Sequence, residues 1–193
     1  MIYTAHYKSP IGDLLLASKE GKLIGLWIEG QKYYKSNFSE EMKENENDKT
    51  LLKAKKWLDR YFNKEKPSIK ELEFNPMGSE FRKTVWKILC DIPYGKVTTY
   101  KKIAEEIAKQ KGINKMSAQA VGGAVGHNPI SIIIPCHRVV RTNGDLTGYA
   151  GGIDKKKYLL EHEKKQWYVK ISKKYWLGVN SKWYIIIYKI IFF

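Results

Sequence analysis

Cys136 and His137 stand side by side, and this combination can supply a nucleophile together with its base. A cysteine attacks as its thiolate, which a neighbouring imidazole or cation favours, and Arg138 and Arg141 follow closely. Adjacent side chains on a strand point to opposite faces, and buried cysteines are usually inert, so the dipeptide alone leaves a core role open. The β-branched run before it and Pro135, which bars regular continuation, favour the nucleophile.

The other candidate ligands of the chain are scattered. Cys90 lies in a predicted helix between Leu89 and Asp91, and we interpret it as structural. The two cysteines and the histidines show no CxxC or HxxxH spacing, so the sequence predicts no metal site. The four histidines are His6, His127, His137 and His162.

Charge is concentrated in the C-terminal part of the 193 residues. The chain carries a net charge of +15, with 14 basic and 13 acidic side chains in residues 1–80 but 21 and 7 in residues 81–193. Such a one-sided excess attracts polyanions, so we expect nucleic acid ahead of an anionic membrane or acidic proteins. The 43% of hydrophobic residues exclude a fully disordered chain.

The compartment is predicted from what the sequence contains. No apolar run reaches the roughly 18 residues of a membrane span, and the first residues do not resemble a signal peptide. Two distant cysteines are typical of a reducing environment. We therefore expect a cytoplasmic protein without stable membrane association. We also expect a monomer.

The chemistry must be positioned by two unlike halves. The first half predicts an antiparallel meander, a solvated loop over 39–49, a helix capped by Thr50, and a linker over 64–76 that marks a domain boundary. The strands are expected at 2–7, 14–16 and 23–27.

The second half is mostly helical. Ser79, Thr98 or Thr99, and Ser117 are predicted helix caps, and the last two helices form a plausible helix-turn-helix. A buried strand is predicted at 131–134, directly before Pro135. The final helix is predicted to be capped by Asp154.

Several motifs together resemble the O6-alkylguanine-DNA alkyltransferase family, over about residues 79–163. They are NPISIIIPCHRVV at 128–140, GYAGG at 148–152, LLEHE at 159–163, FRKTVW at 81–86, IPYG at 92–95, TY at 99–100 and AVGGA at 120–124. The resemblance implies an α/β (α+β) protein: a small ribonuclease-H-like domain at 1–76, a helical domain with a helix-turn-helix at 77–165, and an atypical tail at 166–193.

The resemblance also implies a one-use repair reaction on double-stranded DNA. Cys136 would take the alkyl group from O6-alkylguanine as a stable thioether, with His137 as its base through a water and Glu163 orienting His137. Asn128 would brace the turn before the strand, and Tyr100 would contact a phosphate and donate a proton to the flipped base.

Further residues are implied to bind the base and the duplex. The base pocket would comprise Tyr100, Val125, Val139, Tyr149, Ala150 and Gly151. The contacts to DNA, made in the minor groove, would come from Thr99, Tyr100, Ala118, Gln119, Ala120, Gly122 and Arg138, with Lys101, Lys102 and Lys115 attracting phosphates.

Two departures from the family stand out. Gln119 occupies the position of an arginine that enters the duplex, and it cannot stack as a guanidinium does. The basic, apolar tail does not match the family's ending; an extra strand, a membrane-surface segment and an altered reading frame all remain open.

The competing functions are a lesion sensor or DNA-binding regulator without repair, and a thiol peptidase. Cys136 argues against the sensor, and turnover separates the peptidase from a one-use acceptor. The sequence leaves open the size of the alkyl group and whether O4-alkylthymine is also a substrate.

Overall fold

Three N-terminal strands form the expected antiparallel meander in the computed structural model, which describes residues 1–36, 38 and 40–164. They are β1 (Ile2–Ser9), β2 (Gly12–Lys19) and β3 (Lys22–Ile28). A short β4 (Met42–Glu44) pairs parallel with β1, giving the order β3-β2-β1-β4. The solvated loop predicted over 39–49 is wrong for these three residues, because pairing along β1 overrides their polar composition.

Helix α1 (Lys49–Phe62) packs on one face of this sheet. Its cap is Asp48, whose side chain accepts a hydrogen bond from the Leu51 N–H, so the prediction of Thr50 as the cap is wrong. The opposite face of the sheet is covered separately by a small apolar cluster. Its buried members are Ile2, Leu15, Ala17, Ile24 and Trp27.

Four helices make up most of the C-terminal part. They are α2 (Glu80–Cys90), α3 (Tyr100–Lys111), α4 (Ala118–Gly126) and α5 (Ile153–Glu163). The predicted caps Ser79, Thr99 and Ser117 are confirmed, since each side chain accepts a backbone N–H of the first turn. Asp154 lies within the first turn of α5 and does not precede it, which corrects the predicted cap.

The predicted strand over 131–134 is wrong, although its side chains are buried. Ile132 has a φ of +70°, and the Ile134 N–H bonds back to the carbonyl of Ile130, so the segment coils. A buried apolar run does not by itself distinguish a strand from a turn. A 3-10 turn follows at Cys136–Arg138, and two short parallel strands, β5 (Thr98–Thr99) and β6 (Val139–Val140), pair beside it.

Met1–Glu163 pack as one unit around a shared core. That core takes side chains from the sheet, from α1 and from the C-terminal helices, including Leu26, Leu58, Val85 and Leu159. Over the residues described, no helix is both long and apolar enough to cross a bilayer. The predictions for the tail at 166–193 lie outside the described residues.

Candidate active site

Asn128, just after α4, holds the segment that carries Cys136. Its Nδ2 lies 2.8 Å from the carbonyl oxygen of Ile134 and 3.1 Å from the Cys136 sulfur, and its Oδ1 accepts the Ile130 N–H at 3.0 Å. These bonds satisfy backbone groups that a strand would have paired with a neighbour. The amide therefore ties the sulfur to the turn, and the bracing role of Asn128 in the reaction stays a prediction.

The sulfur of Cys136 is buried, with the residue only 5% exposed. Burial raises the pKa of the thiol, while the hydrogen bond from Asn128 and the charge of Lys156 act in the opposite direction. The resting group is therefore the thiol, and attack requires a base that takes its proton.

His137 and Glu163 form a fully buried pair. His137 Nε2 lies 2.8 Å from Glu163 Oε1, joining the 3-10 turn to the end of α5. Burial lowers the pKa of His137, against the opposing effect of the carboxylate, so the imidazole is neutral near pH 7. With Nε2 carrying its proton towards Glu163, Nδ1 presents a lone pair, and it has no hydrogen-bond partner among the described residues.

The carboxylate of Glu163 accepts five hydrogen bonds. Oε1 accepts from His137, from the Tyr61 hydroxyl at 2.8 Å and from Arg138 Nη2 at 2.9 Å, and Oε2 accepts from Arg138 Nε and the Gly95 N–H. Burial alone would raise the pKa of Glu163, but the hydrogen bonds and charges of His137 and Arg138 hold it well below its usual range. Its oxygens are thus fully used, and no three His, Cys, Asp or Glu side chains of the described chain gather as metal ligands.

Arg138 belongs to this buried network, which corrects the prediction that it contacts DNA. Two of its nitrogens bind Glu163 and the third, Nη1, donates to the carbonyl of Ile92 at 2.6 Å. With the residue 5% exposed, its charge is used inside the protein. Nothing in the sequence around Arg138 distinguishes a buried ion pair with Glu163 from an exposed contact to DNA.

Gly95 is required where it binds the carboxylate. Its φ is +71°, and a Cβ there would lie 2.8 Å from the backbone oxygen of Glu163. A side chain at this position would push the end of α5 away from the site.

Lys156 is a site residue that the sequence analysis missed. Its ammonium is buried and donates to the carbonyls of Val139 at 2.6 Å and Thr147 at 2.7 Å. Burial lowers its pKa to about 8, and the charge of Cys136 opposes that shift. The signal was present, because Lys156 and Glu163 are seven positions apart and therefore share a helix face with Leu159.

An open cleft of about 750 Å³ lies beside this network. Its walls come from the start of α3, the first half of α4 and the loop before α5. They bring four predicted residues together with five that were not predicted. The predicted residues are Tyr100, Ala118, Gln119 and Gly122; the others are Arg141, Thr142, Asn143, Thr147 and Gly148.

Tyr100 connects the cleft to Cys136. Its hydroxyl donates to the carbonyl of Thr147 at 3.0 Å, and its ring lies against Gly122. Burial raises the pKa of Tyr100, and the charge of Cys136 adds to this while Arg141 opposes it. The phenol of Tyr100 is therefore a neutral donor that lies near Cys136 and Arg141.

The remaining predicted residues do not line this cleft, so their roles stay predictions. Thr99 caps α3, and the Ala120 N–H bonds to Ser117. Val125 and Val139 are core residues, and Tyr149 is buried. Ala150 and Gly151 contact the N-terminal part through Lys32 and Ile28.

Family models match both parts of the chain. Residues 2–76 match the model described as 6-O-methylguanine DNA methyltransferase, ribonuclease-like domain, and residues 80–165 match 6-O-methylguanine DNA methyltransferase, DNA binding domain. These matches together span most of the chain.

Known proteins give the same result. The chain is 43% identical over 157 residues to a methylated-DNA–protein-cysteine methyltransferase of Methanosarcina barkeri, covering 81% of this chain and 93% of that one. It is 41% identical to its counterpart in Methanosarcina acetivorans, covering 84% and 98%. Among solved structures, O6-methylguanine methyltransferase of Mycobacterium tuberculosis matches with a TM-score of 0.71 at 39% identity, covering 85% and 93%. OGT of the same organism in complex with DNA matches with a TM-score of 0.68 at 37% identity, covering 84% and 92%.

Proposed function

The chain belongs to the 6-O-methylguanine DNA methyltransferase family, and from this premise we propose that Cys136 is the residue that accepts the alkyl group in its repair reaction. The resemblance and the fold class predicted from sequence are confirmed. The protein is a methyltransferase that binds DNA and repairs it by alkyl transfer. The acceptor residue, the lesion and the roles of the surrounding side chains are the subject of the proposal.

The observation that carries the proposal is the buried connection from Asn128 through Cys136 and His137 to Glu163. Asn128 fixes the sulfur, and the next residue in the chain, His137, is held by Glu163 with one ring nitrogen available. This is the arrangement of nucleophile, base and orienting acid that activates a thiol. Because burial raises the pKa of the thiol, the base is needed at neutral pH.

The reaction balances without a cofactor. The proton of Cys136 passes to His137 Nδ1, through one bridging water, and the thiolate attacks the alkyl carbon. The new S–C bond forms as the C–O6 bond breaks, and its electron pair stays on the guanine, which takes a proton from Tyr100. The imidazolium then returns its proton to restore the phenol, by way of solvent. The thioether is stable, so each molecule acts once.

We propose that the substrate is O6-alkylguanine in double-stranded DNA, flipped out of the stack into the cleft. A thiolate cannot reach the alkyl carbon inside the duplex, so the base must leave it. Tyr100, Gln119 and Gly122 lie on the cleft wall where the flipped nucleotide would enter.

We propose that the protein works in the cytoplasm, because the acceptor must stay a reduced thiol; Cys136 and Cys90 are both free. We also propose that it acts as a monomer, since Asn128, Cys136, His137 and Glu163 meet within one chain.

The test is transfer of a methyl group to the protein. The protein is incubated with a duplex that contains one O6-methylguanine, and intact mass and peptide mapping locate the added methyl group. We expect a single methyl group on Cys136, at one equivalent, with none in Cys136→Ala and an unchanged result in Cys90→Ala. Tight binding without transfer would support the lesion sensor, and continued turnover on a peptide substrate would support a thiol peptidase; either overturns the proposal.

A further inference from the structure

Tyr61 brings the N-terminal part of the chain into contact with the end of α5. Its hydroxyl donates to Glu163 Oε1 at 2.8 Å, and its backbone carbonyl accepts a hydrogen bond from His162 Nε2 at 2.9 Å. The side chain is 1% exposed and lies near the C-terminal end of α1. One residue of the ribonuclease-like part is thus held at both its backbone and its side chain by two consecutive residues of α5.

The oxygen that Tyr61 binds is the oxygen that orients the candidate base. Glu163 Oε1 accepts from His137 Nε2, Tyr61 and Arg138 Nη2 within 2.8–2.9 Å. Hydrogen bonds to one carboxylate oxygen compete for its charge, so each donor weakens the pull on the others. A donor from outside the turn therefore adjusts how strongly the carboxylate holds the imidazole N–H.

We infer that Tyr61 is a positioning residue of the alkyl-acceptor site, through which the N-terminal part sets the orientation and basicity of His137. The inference rests on the proposed role of His137 as the base for Cys136. Tyr61 touches neither the sulfur nor the cleft, so it acts through Glu163. Outer partners of this kind fix the tautomer and basicity of a histidine.

Among the groups around the Glu163 carboxylate, Tyr94 offers a matched comparison with Tyr61. Arg138 and His137 face Glu163 from the 3-10 turn, Tyr61 faces it from α1, and Tyr94 lies near it from the loop after α2. Lys156 adds its charge near His137. The Tyr94 ring packs on Tyr61 at 6.0 Å, but its hydroxyl makes no hydrogen bond among the described residues.

The phenol of Tyr61 remains a neutral donor. Burial raises its pKa far above the ordinary value, and the nearby charge of Glu163 acts in the same direction. Its aromatic ring is fixed independently of the hydroxyl, because it stacks on Trp57 at 5.5 Å and meets the edge of Phe62 at 5.2 Å. Tyr61→Phe therefore removes one hydrogen bond and keeps these ring contacts.

Loss of the hydrogen bond from Tyr61 to Glu163 should change the pKa of His137 in one direction. With one donor fewer, the carboxylate attracts the His137 N–H more strongly and favours the protonated imidazole. The His137 pKa should rise by about half a unit in Tyr61→Phe. The acid limb of the pH–rate profile for methyl transfer should shift to higher pH by a similar amount, while affinity for an undamaged duplex stays the same.

Nuclear magnetic resonance of 13C-labelled histidine gives the first readout, since the His137 titration requires neither DNA nor repair. Tyr94→Phe is the matched control and should leave the His137 titration unchanged. Replacing Tyr61 by 3-fluorotyrosine, a more acidic phenol of nearly the same shape, should move it downward, and this variant decides the question if Tyr61→Phe fails to fold. An unchanged titration in the Tyr61 variants, or an equal shift in Tyr94→Phe, overturns the inference.

Failure of the inference and failure of the proposed function give different results. If the wild-type protein transfers no methyl group, the proposed function fails whatever His137 does. If it transfers one, but the acid limb of Tyr61→Phe coincides with that of the wild type, the function stands and Tyr61 is only a packing residue.

Discussion

Lys156 and Glu163 project from the same face of α5, two turns apart, and bring opposite charges to one buried site. Glu163 binds the imidazole and guanidinium of the 3-10 turn, and Lys156 binds the carbonyls of Val139 and Thr147 on either side of the cleft loop. A single helix therefore sets both the base and the local field at Cys136. Substitutions at Glu163 and Lys156 therefore test the base and the local charge separately, whereas a substitution at Cys136 would remove the nucleophile itself.

Lys156→Met is expected to slow methyl transfer at neutral pH by about tenfold or more, because the charge that favours the Cys136 thiolate is lost. The pH–rate profile should shift to higher pH, since the Cys136 thiol becomes harder to ionise. Single-turnover transfer from an O6-methylguanine duplex over a range of pH measures both changes.

The control is Lys157→Met on the exposed side of the same helix. It should match the wild type in rate and pH profile. If Lys156→Met only lowers thermal stability and keeps the pH profile, its ammonium orders the loop without acting on the thiol.

Glu163→Gln is expected to reduce the free energy of unfolding by about 3–5 kcal/mol, because Arg138 keeps a buried charge without its partner. Urea unfolding at neutral pH measures the loss. Glu105→Gln, which alters an exposed pair with Lys101, should change stability little.

The loss in Glu163→Gln should depend on pH in one direction. The pKa of Glu163 in the folded protein lies below its ordinary value of 4.5, so its charge stabilises the fold fully above about pH 5. As the pH falls below 4.5, the unfolded chain takes up the proton first and this contribution shrinks. The two proteins should therefore approach each other in stability on acidification; a constant difference down to pH 3 would contradict the role of the charge.

The sequence predicted three of the five helix caps, missed those of α1 and α5, and gave no sign of the long-range contacts. Ser79, Thr99 and Ser117 were identified as caps because a cap depends only on the next three residues. The contact between Tyr61 and Glu163 spans 102 positions, and no local pattern encodes it. The roles of Cys136, His137 and Asn128 came from the family resemblance, whereas the Cys-His dipeptide alone would have left a core cysteine as the simpler interpretation.

The two arginines after Cys136 show the same limit. Arg138 and Arg141 have equal charge and similar neighbours, yet one is buried against Glu163 and the other is exposed on the cleft wall with Gln119. Burial is a property of the packed structure. Charge counting located the basic excess in residues 81–193, while the resemblance assigned a DNA contact to Arg138, which the structure buries.

Arg141→Gln is expected to weaken DNA binding and reduce the slope of log affinity against log salt by about one, as loss of one phosphate contact does. Arg141 would supply at the cleft the positive charge that Gln119 lacks. Fluorescence anisotropy with an undamaged duplex at several salt concentrations measures the slope.

Lys53→Gln on α1 removes the same charge away from the cleft and should leave the slope unchanged. Arg138→Gln should lower stability through the loss of its bonds to Glu163. An unchanged slope in Arg141→Gln would show that Arg141 does not meet a phosphate.

Tyr100→Phe separates the two roles that the family resemblance assigns to this residue. If the hydroxyl donates a proton to the departing guanine, the rate of methyl transfer should fall by about 10²-fold or more, with DNA affinity unchanged, because the ring still lies against Gly122. If the hydroxyl only contacts a phosphate, affinity should fall and the rate at saturating DNA should stay the same. Stopped-flow transfer and anisotropy on the same duplex distinguish these results, with Tyr158→Phe on the exposed part of α5 as the control. We expect the first result, because burial keeps the phenol protonated near Cys136 and its present acceptor, the carbonyl of Thr147, borders the cleft that the base would enter.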